Sequence, residues 1–203
     1  MLQGLEMRCL KWVAAVALAG SVAASEVETM AIACGACHGQ DGVSGIAPDY
    51  PSIGGQNERY LLTQLRLLKS GERPAPLMAG TLDMLSDDDL AKLAAYYAAM
   101  PGQVGRSSPD DLETGQQIYR GGIMDKGVAA CTACHSPTGG GNAPAGFPSL
   151  SGQRYDYVVA QLVAYREGHR TTDEEFGGMM RDVASRLTDT EIAALANYVQ
   201  GLY

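Results

Sequence analysis

The chain has no apolar run long enough to cross a bilayer. The longest, Trp12 to Gly20, is far short of the roughly 18–20 residues that a span needs. Cysteine is scarce. Of five in all, Cys9 precedes that run and the other four lie in two short motifs, so no disulfide framework remains. Basic residues are outnumbered, with 15 Lys and Arg against 23 Asp and Glu and a net charge of −8. That balance excludes the basic footprint of a nucleic-acid binder. No alternating apolar–polar stretch marks a strand, which leaves an all-α chain.

The N-terminus reads as an export signal. Arg8 and Lys11 give a basic start, the apolar run follows, and Val22-Ala23-Ala24 offers small residues for cleavage. An uncleaved anchor is the competing reading, and the length argues against it. Met7 is an alternative start that gives a more conventional signal. Cleavage after Ala24 leaves 179 residues (203 − 24) and a net charge of −9 (13 − 22). That length suffices for two small domains.

What the chain does have is two Cys-x-x-Cys-His pentapeptides, Cys34 to His38 and Cys131 to His135. Each reads as a covalent haem c attachment site. Cysteines three residues apart share one side of a helical turn, so both sulfurs can reach the vinyl groups on one edge of a haem. The histidine that follows falls under the ring and offers nitrogen to the iron. A four-thiolate zinc cage is the rival reading of paired Cys-x-x-Cys motifs. A histidine after each pair, a separation of 97 residues (131 − 34) and an exported chain all weigh against it. A redox dithiol lacks the βαβ surroundings it needs. Covalent haem on an exported chain places the protein in the bacterial periplasm.

The second half repeats the first. At the same offset, Pro51-Ser52-Ile53 matches Pro148-Ser149-Leu150, and Gly55-Gln56 matches Gly152-Gln153. Tyr60, Gln64, Leu65, Gly71 and Arg73 match Tyr157, Gln161, Leu162, Gly168 and Arg170. Five inserted residues then raise the offset to 102 (180 − 78), so Met78 falls on Met180 and Leu85 on Leu187. The repeat predicts two tandem domains, 25–100 and 112–203, after a 1–24 signal and around a 101–111 linker. The spacing of Leu61, Leu62, Leu65 and Leu68 predicts a helix stopped at Gly71, with a partner stopped at Gly168. Further helices lead into Cys34, cover the stretch around Glu113 to Arg120, and start at Ser86 and at Thr188. Thr188 with Glu191 has a capping-box signature. Pro101 and Gly201 end these last two helices.

What lies on the face of each iron opposite histidine separates a carrier from a catalyst. A methionine thioether closes that position and raises the potential, whereas an open position admits small molecules. Methionine's ordinary role is to fill cores. Of the seven methionines after the signal, only Met78 and Met180 superpose in the repeat, which makes them the candidate sixth ligands. Met179 is the alternative in the second copy. Met84 aligns with Arg186 and reads as packing. His169 aligns with Glu72 and reads as a solvated loop residue. His38 and His135 each need an acceptor for the other ring N–H. The carbonyls of Pro51 and Pro148 are candidates, and simple turn prolines are the other reading.

CGACHGQDG, PSIGGQNERYLLTQL, LSDDDLAKLAAYYA, CTACHSPTGGG, AGFPSLSGQ, REGHRT and LTDTEIAALANYVQGLY together resemble the cytochrome c4 family over nearly the whole mature chain. The resemblance implies two class I cytochrome c domains related by pseudo-twofold symmetry. It implies two covalent haem c groups, on Cys34/Cys37 and Cys131/Cys134, with propionates near the domain interface. Axial pairs would be His38/Met78 and His135/Met180, and the adjacent Met179–Met180 is a departure from the family pattern. The implied role is electron transfer, without substrate turnover, between a quinol-oxidising complex and a terminal oxidase. It further implies a monomer or weak dimer, loosely associated with the inner membrane. The alternative is the electron-accepting subunit of a dehydrogenase complex such as flavocytochrome c sulfide dehydrogenase. A dihaem peroxidase would need an open axial position, which two matched methionines oppose.

Overall fold

The computed structural model describes residues 26–203. The signal-peptide expectation for 1–24 falls outside them. Eight α-helices follow in order: α1 over 26–38, α2 Glu58–Ser70, α3 Asp87–Ala98, α4 Leu112–Gly121, α5 Thr132–His135, α6 Tyr155–Arg166, α7 Met179–Ala184 and α8 Asp189–Gln200. Short 3-10 turns cover Pro76–Met78, Met124–Lys126 and Glu174–Phe176. Among the described residues there is no β-strand, only the isolated bridges Ile123–Val128 and Asn142–Phe147. No helix among them is long and apolar enough to cross a membrane.

Local chemistry sets the helix ends. Ser86 and Asp89 form a reciprocal capping box at the start of α3, and Thr188 and Glu191 form its counterpart at α8. Gly71 closes α2 in the left-handed region at φ 80°. α6 ends one residue before Glu167, and Gly168 follows at φ 72°. α1 runs unbroken through Cys34, Cys37 and His38. In the second half the long helix stops at Gly121, and a separate short helix, α5, carries the motif.

Each half has its own core. Ala31, Leu61, Leu93, Ala94 and Tyr97 form the first, between α1, α2 and α3. Ile118, Tyr119, Val128, Leu187, Ile192, Leu195, Tyr198, Val199 and Leu202 form the second, larger one, centred on α4 and α8. Those two helices cross closely at Gly115, where a Cβ would overlap the carbonyl oxygen of Ala194. The segment between the halves is not a free tether. Ser107 Oγ donates to the carbonyl of Asn197, and Gln200 Nε2 donates to that of Arg106.

The halves meet through repeat-matched polar residues. Gln153 Oε1 accepts from Ser52 N at 2.9 Å, and its Nε2 donates to Ser52 O at 2.9 Å. Gln56 does the same for Ser149, at 2.7 and 2.8 Å. Each glutamine satisfies the backbone N–H and C=O of one serine, buried at Ser52 and half-buried at Ser149, and a buried group left without its partner costs about 1–3 kcal/mol.

Two candidate haem sites

His38 ends α1 and is buried, with Nδ1 3.0 Å from the Pro51 carbonyl. His135 ends α5 and is likewise buried, with Nδ1 2.9 Å from the Pro148 carbonyl. A carbonyl can only accept, so Nδ1 carries the proton and Nε2 keeps its lone pair for a metal. Burial pushes both imidazoles toward the neutral, ligating form, and the proline carbonyls oppose that only partly. The carbonyl contact also fixes the plane of each ring.

Cys34 and Cys37 occupy the last turns of α1, while Cys131 caps α5 and Cys134 lies within it. None of the four is paired in a disulfide. Burial pushes the Cys34 thiol up and that of Cys131 up to about 11. Among the described residues no cluster of three or more His, Cys, Asp or Glu is placed to hold a bare metal ion. The donor set therefore suits haem c, where the sulfurs bind carbon and one imidazole nitrogen binds iron.

The methionines separate by environment. Met30 and Met100 pack against the first core. Met84 and Met124 are 95% and 86% exposed. Met84 is thus not a packing residue; it stands on the loop before α3, beyond the reach of the core. Met78 closes the Pro76–Met78 turn and is half-buried, held by backbone bonding to Ala75 and by Thr81 Oγ1 donating to its carbonyl at 2.7 Å. In the second half Met180 is half-buried, whereas Met179 is exposed at the start of α7. Among the described residues, Met78 and Met180 are therefore the two methionines that are half-buried and outside both cores. His169 is exposed.

Between the halves lies a group that the sequence reading missed. Arg73 Nη1 donates to Gln64 Oε1 at 2.9 Å, and its Nη2 to Tyr157 Oη at 2.8 Å and Gln161 Oε1 at 3.3 Å. Arg170 mirrors it: Nη1 to Gln161 Oε1 at 2.7 Å, and Nη2 to Tyr60 Oη and Gln64 Oε1, both at 2.9 Å. Every member except the added Thr172, on Arg170 Nε, has its repeat partner in the network. Both guanidiniums bond the same Gln64 oxygen, so their nearest nitrogens lie within about 6 Å. At that distance and an effective dielectric constant of about 20, their repulsion is roughly 3 kcal/mol. The signal was present in the sequence: identical polar residues in both copies with no role at either haem motif.

Two histidines held alike, two thiol pairs and a helical two-core fold define a dihaem c-type cytochrome, an electron-transfer protein. Comparison with known proteins agrees. The cytochrome c family model matches residues 112–203, and the model for subunit III of cbb3-type cytochrome c oxidase matches 22–96. Cytochrome c4 of Azotobacter vinelandii is 47% identical over 194 residues, covering 91% of this chain and 90% of that protein. The crystal structure of reduced recombinant cytochrome c4 from Pseudomonas stutzeri superposes with a TM-score of 0.85 at 44% identity, over 88% of this chain and 98% of that one. A thiosulfate dehydrogenase electron acceptor of Stutzerimonas stutzeri is 35% identical over 172 residues, 83% of this chain and 78% of that protein. The chain belongs to the cytochrome c4 family, and it carries two covalently bound haem c groups.

Proposed function

We propose that the protein is a periplasmic electron carrier in which protein side chains fill both axial positions of each haem iron. In this reading Cys34 and Cys37 bind the first haem, with His38 and Met78 on its iron. Cys131 and Cys134 bind the second, with His135 and Met180. The observation that carries it is the matched pair of histidines, each tied through Nδ1 to a proline carbonyl, with one half-buried methionine outside the core in each half. When bound, haem iron supplies one-electron chemistry between its ferric and ferrous states. Thioether ligation favours the ferrous state and raises the potential. The chain holds the rings rigid and offers no open metal position, so it carries electrons and turns over no substrate.

The leader-like 1–24 segment and covalent haem both support an exported protein. Donors and acceptors are redox proteins, a quinol-oxidising complex and a terminal oxidase in the first reading. The acidic balance favours partners with a basic docking face. A second reading, a dedicated acceptor for a dehydrogenase, is favoured by the kinship with a thiosulfate dehydrogenase electron acceptor. Copurification with a larger subunit at fixed stoichiometry selects the second reading; a free monomer or weak dimer selects the first. The ligand assignment is tested on Met180→Ala with Met179 intact. It is expected to lose half of the iron–sulfur charge-transfer band, and an unchanged band sinks the assignment.

A further inference from the structure

Each proline carbonyl that holds a histidine belongs to a peptide whose other end crosses to the opposite half. The Pro51 C=O shares one peptide plane with the Ser52 N–H. That N–H donates to Gln153 Oε1 at 2.9 Å, while the C=O lies 3.0 Å from His38 Nδ1. The Pro148 C=O shares a plane with the Ser149 N–H, which donates to Gln56 Oε1 at 2.7 Å. The path from His38 therefore leads into the second half, and the path from His135 into the first. Each runs from imidazole N–H to carbonyl, through one peptide, and from amide N–H to carboxamide oxygen.

The glutamines are fixed at their own ends. Gln153 Oε1 also accepts from Arg154 N at 3.0 Å, and Gln56 Oε1 from Asn57 N at 2.8 Å. An atom that faces two N–H groups is the oxygen, so each Nε2 is left to donate to a serine carbonyl, Ser52 O or Ser149 O. The carboxamide thus grips one serine by N–H and C=O together and sets the tilt of the peptide before it. Both glutamines are only 7% exposed, and both histidines are buried. Where water is excluded, hydrogen bonds in series polarise one another, by roughly 10–30% per bond. An N–H that donates leaves its own carbonyl oxygen more negative. A more negative oxygen draws harder on the imidazole proton and makes the other ring nitrogen a more basic ligand.

We propose that Gln153 is a positioning residue for His38 and Gln56 is one for His135, so that each half tunes the iron ligand of the other. The inference rests on the reading of both histidines as iron ligands. Neither glutamine touches an imidazole; each acts through the peptide that does. Joining the halves and setting their histidines are then one device. Damage to a glutamine is felt at the histidine of the opposite half.

The test uses the reduced dihaem holoprotein labelled with 15N, in which NMR reads the Nδ1 proton of each histidine. Methionine keeps the length of glutamine and removes its carboxamide. Gln153→Met is expected to move the His38 Nδ1 proton upfield, the mark of a weakened hydrogen bond, and to leave the His135 proton in place. Gln56→Met gives the mirror result, and it serves if Gln153→Met fails to fold. A brace that is merely structural would loosen both histidines alike or leave both unmoved. A response in the variant's own half, in both halves or in neither overturns the proposal. The Nε2 resonances of the parent check the underlying reading. Iron-bound Nε2 atoms with no crossed response overturn the positioning role alone, whereas an Nε2 free of iron overturns the ligand assignment.

Discussion

The two histidine sites are near copies, and the two methionine segments are not. Histidine to proline carbonyl is 3.0 Å in one half and 2.9 Å in the other, and the aromatic residue beside each histidine, Tyr50 or Phe147, sits 6.3 Å away in both. The first methionine sits in a single 3-10 turn whose neighbour Leu77 is 72% exposed. The second is built into α7 and clamped. Asp173, with a side chain 3% exposed, accepts from Arg181 N at 3.0 Å and Nε at 2.8 Å, and Glu174 accepts from Arg181 Nη2 at 2.6 Å. Phe176, in the preceding turn, packs on Phe147 at 5.1 Å. The duplication kept what both copies must do alike, orienting histidine and joining the halves. It diverged where a loop serves one haem alone.

The largest effect should come from breaking the clamp. Arg181→Ala leaves the buried Asp173 carboxylate with the backbone N–H of residue 181 but no charged partner, and is expected to cost about 2–3 kcal/mol, below the full buried-pair loss because Arg181 itself is partly exposed. Denaturant titration measures the loss, and the iron–sulfur band of the second haem should become labile while that of the first is untouched. Equal lability of both bands would erase the contrast between the loops.

Removing the matched caps comes next. Ser86→Ala and Thr188→Ala should each cost about 1 kcal/mol. Thr188→Ala should cost more, because Thr188 also steadies Glu191, which pairs with Lys126 at 2.7 Å and ties α8 to the 3-10 turn after α4. Ser86 holds the Asp89 carboxyl below its usual range. Burial pushes Glu191 up, and Lys126 and Thr188 outweigh it, so its folded value is also depressed. A depressed carboxyl contributes above its unfolded value and loses that contribution as pH falls through the folded one. The gap between each variant and the parent should therefore shrink below about pH 4. A gap that holds constant into acid contradicts the capping-box account.

The smallest effect has the opposite sign. Gly39 and Ser136 follow the two histidines at matched positions, with φ of 81° and 66°. Serine at φ 66°, ψ 160° occupies a region that suits glycine, and its Oγ is buried without a partner. Ser136→Gly should stabilise the second half by roughly 0.5–1 kcal/mol, net of the added freedom of the unfolded chain. Loss of stability on that substitution would show that Ser136 Oγ has a partner in the holoprotein.

Local features were legible in the sequence because their causes are local. The capping pairs, the stop at Gly71 and the Cys-x-x-Cys-His turns each depend on a few adjacent residues. The repeat extended that reach to Met78 and Met180. It could not show that a new helix would begin at Met179, since the five inserted residues have no counterpart to read from. The interface was invisible for another reason. Ser52 and Gln153 lie 101 residues apart, and nothing near either announces the other. Their recurrence in both copies marked them, and only the fold gave the recurrence a purpose.

The central claim is that both irons are closed by chain ligands. Carbon monoxide mixed with the reduced native holoprotein tests it directly, because it binds ferrous haem only where the sixth position is open or weakly held. The account predicts an unchanged reduced spectrum on rapid mixing. Prompt formation of a carbon monoxide complex at either haem would contradict it.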